Sequence, residues 1–101
     1  MVNYKLKTQI VNKPLFLQFS KQIRTDHGLR EFNFLLRVYA QEIFYNVDVA
    51  DERGNRFEFV MNQEKGEWTI KSKALPAWIT ATEQDLRQAI EEQKSNFEHP
   101  V

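Results

Sequence analysis

Asp26 and His27 set a carboxylate beside an imidazole, the raw material for general acid–base or nucleophilic chemistry. Neighbours on a tight loop point apart, however, and no Ser or Cys nucleophile stands beside this pair. Both residue types are also common in turns, and the turn is the preferred reading. His99 falls in a segment that reads as a tail. A metal site would need these two distant His or carboxylates alone. Asp48, Asp51 and Glu52 cluster near one turn, but they lack the alternating oxygen ligands of a calcium loop. Glu91 and Glu92 are neighbours on an expected helix, so they splay apart and form no acid–base pair. The chain is therefore read as non-enzymatic, with no metal and no cofactor.

Binding chemistry is the other possibility. Arg53-Gly54-Asn55-Arg56-Phe57-Glu58-Phe59-Val60 loosely resembles the basic-Gly-aromatic strand of an RNA-recognition motif. Its spacing differs by one residue, Glu58 opposes phosphate, and the alternation of helices and strands typical of that motif is absent. Charges balance at 14 Lys/Arg against 14 Asp/Glu, so no global field favours nucleic acid. A weaker electrostatic version rests on Lys5, Lys7, Lys21, Arg24, Arg30 and Arg37. The balance is uneven along the chain: through Ala40, the only acids against seven basic residues are Asp26 and Glu31. Two oppositely charged parts of one surface, or a self-complementary contact between two copies, would both explain this. Trp68 and Trp78 could clamp a ligand, but each is more simply a core residue. With no Cys, disulfide and thiol chemistry are excluded. No signal peptide or membrane-length apolar run is visible, which leads to the expectation of a soluble, cytoplasmic protein.

These residues must be positioned by strands. A chain of 101 residues suits one domain, here 1–96 followed by a frayed tail at 97–101. Asp51-Glu52-Arg53-Gly54 predicts a type I turn closed by a left-handed glycine. That turn sets Val49 opposite Phe57, Val47 opposite Phe59 and Tyr45 opposite Met61. Gln63-Glu64-Lys65-Gly66 is expected to set Met61 opposite Trp68 and Phe59 opposite Ile70. Thr25-Asp26-His27-Gly28 pairs Phe19 with Phe34, Leu17 with Leu36 and Leu15 with Val38. A turn at Asn12-Lys13 would pair Ile10 with Leu15 and Leu6 with Phe19, adding a first strand over Val2–Ile10. A one-residue slip would turn each apolar row to water, so register is specified wherever turns are.

Tyr39-Ala40-Gln41-Glu42 is the weakest turn, since it reverses the chain without Gly, Pro or Asn. Residues 29–47 also fit a helix, because Leu29, Phe32, Leu36, Tyr39, Ile43 and Val47 recur at three and four. Their aromatic and β-branched content favours two strands. Pro76 should end strand pairing. A helix follows to about Lys94, started by a capping box of Thr80 with Glu83 or of Thr82 with Asp85. Its apolar stripe is narrow: Leu86, Ala89 and Ile90. The expected fold is α+β, a strongly curled six-stranded antiparallel meander packed on one C-terminal helix.

Coverage then limits function. Six strands span about 24 Å, whereas a helix is about 10 Å wide. The apolar face can be closed by curling, by a second copy, or by a hydrophobic ligand in a mouth lined by Tyr4, Phe19, Phe34 and Leu36. On the opposite face Phe16, Leu35, Tyr39, Phe44 and Val60 interrupt polar residues and would form a contact patch if they cluster. The chain is read as a protein-binding or dimerising module. The alternatives are a small hydrophobic-ligand binder, or an enzyme whose few polar groups the sequence does not single out, and, less favoured, a nucleic-acid-binding domain.

Overall fold

The structure, a computed structural model, describes residues 18–98. Five antiparallel strands follow one another across a single curled sheet in chain order. They are β1 (Gln18–Thr25), β2 (Gly28–Tyr39), β3 (Glu42–Ala50), β4 (Arg56–Glu64) and β5 (Glu67–Ile70). Two helices follow, α1 (Ala77–Thr80) and α2 (Glu83–Glu98). The sheet has five strands among the described residues, not the six expected. The expected strand Val2–Ile10 and the turn Asn12-Lys13 lie outside the described residues, as do the partners Leu15 and Leu17. Residues 29–47 are two strands, and no helix forms there.

Turn chemistry sets most of the register. Gly54 sits at φ +87° and donates its N–H to the Asp51 carbonyl at 3.0 Å. The Asp51 carboxylate accepts the N–H groups of Arg53 and Asn55, both at 2.9 Å, and locks the loop. Val49 consequently faces Phe57, Val47 faces Phe59 and Tyr45 faces Met61. The loop at Asp26-His27 likewise ends on a left-handed Gly28, and Phe19 faces Phe34.

The β4–β5 register departs from expectation. Lys65 and Gly66 both have positive φ, so they form a two-residue turn in place of a four-residue loop. Met61 then faces Ile70, and Gln63 faces Trp68. The shift is two residues, which keeps every side chain on its expected face. Ala40 and Gln41 make the same kind of turn, at φ +51° and +69°, without a glycine. A left-handed conformation costs a non-glycine residue about 1–2 kcal/mol. Gln41→Gly should therefore raise unfolding stability by about 1 kcal/mol in a denaturant titration.

The core lies between one sheet face and the helices. Phe32, Phe34, Tyr45, Val47, Val49, Phe59, Met61 and Trp68 supply the sheet side, and Trp78, Ile79, Leu86, Ala89 and Ile90 supply the helix side. The helix entry also differs from expectation. Strand β5 ends at Ile70, six residues before Pro76, so the proline does not stop the strand; at ψ 151° it precedes the extra turn α1. Neither expected capping box forms. Thr82 turns its hydroxyl back to the Ile79 carbonyl at 2.6 Å, and Thr80 does the same to Ala77 at 3.2 Å. Glu83 reaches the Ile70 N–H instead, at 2.8 Å.

Helix α2 touches both outer strands of the described sheet. Glu92 pairs with Lys21 on β1 at 3.2 Å, while Arg87 donates to the Trp68 carbonyl on β5 at 3.0 Å. Five flat strands would hold those edges about 19 Å apart, wider than one helix. Curling brings both edges to it. The Lys21–Glu92 pair also joins the basic first part of the chain to the acidic second part within one molecule.

Candidate functional site

The open end of the curled sheet is the candidate site. Helix α1 and its Trp78 pack at the opposite end, where Trp78 meets Phe57 edge-on at 5.9 Å and His27 at 4.7 Å. Toward the Ala40-Gln41 turn, β2 and β3 continue past the buried residues. Val38 stands opposite Ile43 on the core face, one step beyond the Leu36–Tyr45 pair. Val38 is 69% exposed and Ile43 43%. Alternation alone explains their orientation, since 34, 36 and 38 on β2 share a face with 43, 45 and 47 on β3. Tyr39 at the hairpin tip is 75% exposed, and Leu35 on the outer face is 42% exposed. Four of the five large apolar side chains most exposed among the described residues therefore lie between Leu35 and Ile43; the fifth is Leu29.

The residues expected to line a mouth are only partly at the surface. Tyr4 lies outside the described residues. Phe34 is fully buried and stacks on Phe19, with ring centres 4.4 Å apart and planes 6° apart. Phe19 and Leu36 are half-buried and pack against the core. On the outer face, Leu35 and Val60 both lie opposite Asn46, and Phe44 lies between Arg37 and Asn62. Leu35 and Val60 each lie diagonal to Phe44 on an adjacent strand, which brings Phe44 within reach of both. Phe16 lies outside the described residues. Sequence reasoning does not single out Val38 and Ile43 as surface residues. The usable signal is length: the strong alternation of β2 and β3 outruns the short segment that can form β5.

Beneath this end, two buried polar atoms have no hydrogen-bond partner among the described residues, Tyr45 Oη and Trp68 Nε1. Their rings lie 5.2 Å apart. Burial pushes the Tyr45 phenol up to about 12. A raised phenol stabilises the fold fully below its unfolded value near 10, and that stability is lost as pH climbs through the folded value. Titration from pH 10 to 12 should thus remove on the order of 2 kcal/mol of unfolding free energy. Tyr45→Phe should flatten this slope, as read by denaturant midpoints at each pH.

The polar constellations serve the frame. His27 Nδ1 lies 2.8 Å from Glu52 Oε1 and joins two loops at one end of the sheet. A hydrogen bond from its own backbone N–H, and then His27, hold the Glu52 carboxyl below the usual carboxylate range. Asp26 is exposed and takes no part in that pair. On the outer face Ser20 donates to Asn33, and Asp48 accepts from both Asn33 and Arg56. Among the described residues no three His, Asp or Glu side chains converge as metal ligands. A groove of about 280 Å³ between β1 and α2 has Ile23 and Ala89 at its base and is rimmed by the charged Lys21, Arg24, Asp85 and Glu92, of both signs, with the neutral Gln88. No described helix is long and apolar enough to cross a membrane.

Comparison with protein-family models, characterised proteins and solved structures finds no match to this chain.

Proposed function

We propose that this domain is a non-catalytic binding module whose partner is a second copy of itself, docked through the open end of the sheet. The observation behind this reading is the exposure, at the tip of one hairpin, of Val38 and Ile43 on the core face and of Tyr39 on the outer face, beyond the core residues buried against the helices. Large apolar side chains grouped at one place on a folded domain mark contact surfaces more often than scattered ones do. The tip also carries both signs of charge, with Arg37 on β2 and Glu42 on β3. A twofold axis across the hairpin can set each against its opposite in the other copy. The test is equilibrium sedimentation across the micromolar range, where a reversible dimer is expected. A strict monomer would refute the reading.

Tyr45 Oη and Trp68 Nε1, which have no hydrogen-bond partner among the described residues, favour a second reading. Both groups donate hydrogen bonds, so a small apolar molecule bearing an acceptor would satisfy them while covering Phe19 and Leu36. Fluorescence titration with a fatty acid discriminates: quenching of Trp68 in a monomeric protein would support the ligand over the dimer.

A further inference from the structure

The last strand of the sheet has a backbone edge that is already partly occupied. In β5, the Lys71 N–H just past the strand bonds the Val60 carbonyl of β4 at 2.9 Å, so Thr69 and Lys71 face the ladder. Trp68 and Ile70 must present their backbone groups to the other side. Two of those outward groups meet α2 in place of another strand. Glu83 accepts the Ile70 N–H at 2.8 Å, and Arg87 donates to the Trp68 carbonyl at 3.0 Å. The two side chains are four residues apart and so rise from one helix face. One is an acceptor and the other a donor, matching the N–H and C=O that a pairing strand would have to satisfy.

We infer that Glu83 and Arg87 form a latch that closes the β5 edge against strand addition by a second copy of β5. Both contacts are charge-assisted hydrogen bonds, stronger than the neutral ladder bonds an incoming strand would offer in exchange. An open edge of this kind templates pairing with another chain. The geometry also defines the pairing that the latch prevents. Two antiparallel β5 strands related by a twofold would exchange backbone bonds between Trp68 of one copy and Ile70 of the other. Thr69 would face its own counterpart at a non-hydrogen-bonded position, with Cα atoms about 4.5 Å apart. The apolar row of the core face would then run from one sheet into the next.

This contact is separate from the Val38–Ile43 tip, so the two can be tested apart. The chain has no cysteine, so a single one is a position-specific probe. Thr69→Cys would sit within disulfide range only in a β5–β5 pair. With the latch intact, mild oxidation should leave it uncrosslinked. With Glu83→Ala and Arg87→Ala added, cross-linking should rise at least about tenfold, since the edge no longer has to be freed of two hydrogen bonds. Hydrogen exchange of the Ile70 amide should rise in the same variant. Glu83→Ala alone frees that amide and keeps the test alive should the double variant unfold. Ile90→Val weakens the helix packing without touching the latch, and it should not cross-link. Equal cross-linking of the Ile90→Val control, or none in the latch variants whether or not Ile70 exchange rises, would overturn the inference. A Val38→Cys probe reports the tip contact, so failure of the dimer reading leaves the latch result readable.

Discussion

Leu86→Ala should cost about 3–5 kcal/mol of unfolding free energy, enough to leave the domain marginal or unfolded at room temperature. Leu86 is completely buried at the centre of the helix stripe, with Ala89 and Ile90 in the same core cluster. Because that stripe is short, few other helix side chains can move into the space it leaves. A cavity between helix and sheet would persist, and its cost adds to the lost transfer energy. The matched comparison is Val38→Ala, which removes two methyl groups from a side chain that is 69% exposed. That change should fall within about 0.5 kcal/mol of the parent, since surface substitutions away from special features usually do. Urea titrations of both variants check the pair. A similar loss at both positions would mean that the tip belongs to the folding core and is not a surface.

Val38→Glu together with Ile43→Lys should abolish self-association while leaving the monomer folded. The two residues face each other across β2 and β3, so the new charges pair within one hairpin and cost the monomer little. In a dimer the same charges would be buried among apolar groups of the other copy. Desolvating a charge without a partner of good geometry costs several kcal/mol. The dissociation constant should therefore rise by at least about a hundredfold, a change of about 2.8 kcal/mol. Circular dichroism confirms the fold, and sedimentation reads the association. An unchanged mass in a well-folded double variant would remove the tip from the interface.

The two hairpins closed by Gly28 and Gly54 are legible in sequence because their turns carry their own chemistry. Gly54 can adopt the left-handed conformation, Asp51 can bond the loop, and the strands beyond alternate without interruption. Gly66 is ambiguous in principle. It suits the end of a four-residue loop as well as the second position of a two-residue turn, and only the positive φ of Lys65 selects the latter. The Ala40-Gln41 reversal carries no local mark, because the pairing of β2 with β3 imposes it on residues that do not prefer it. Glu83 reads as a capping residue in sequence, yet its actual partner, the Ile70 N–H, is a contact thirteen residues away. Helix α1 escapes a sequence reading because four residues after a proline leave no periodicity to detect.

The same distinction holds for the site. An apolar face wider than its helix is visible from alternation alone, and curling closes part of that mismatch by wrapping both outer strands onto α2. Which residues stay uncovered depends on where the helices sit along the strands, a tertiary fact. Trp78 and α1 occupy the end with the Asp26 and Gly54 loops, leaving Val38 and Ile43 at the other. Phe34, expected from sequence to line a mouth, is instead stacked beneath Phe19.

The most direct test of the tip as a self-docking surface is an isotope-filtered NMR experiment on a mixture of labelled and unlabelled chains. Intermolecular Overhauser contacts from the methyl groups of Val38 and Ile43 are expected, and the double variant carrying Val38→Glu and Ile43→Lys should show none. A parent sample without intermolecular contacts, or with contacts confined to β5 and α2, would contradict the account.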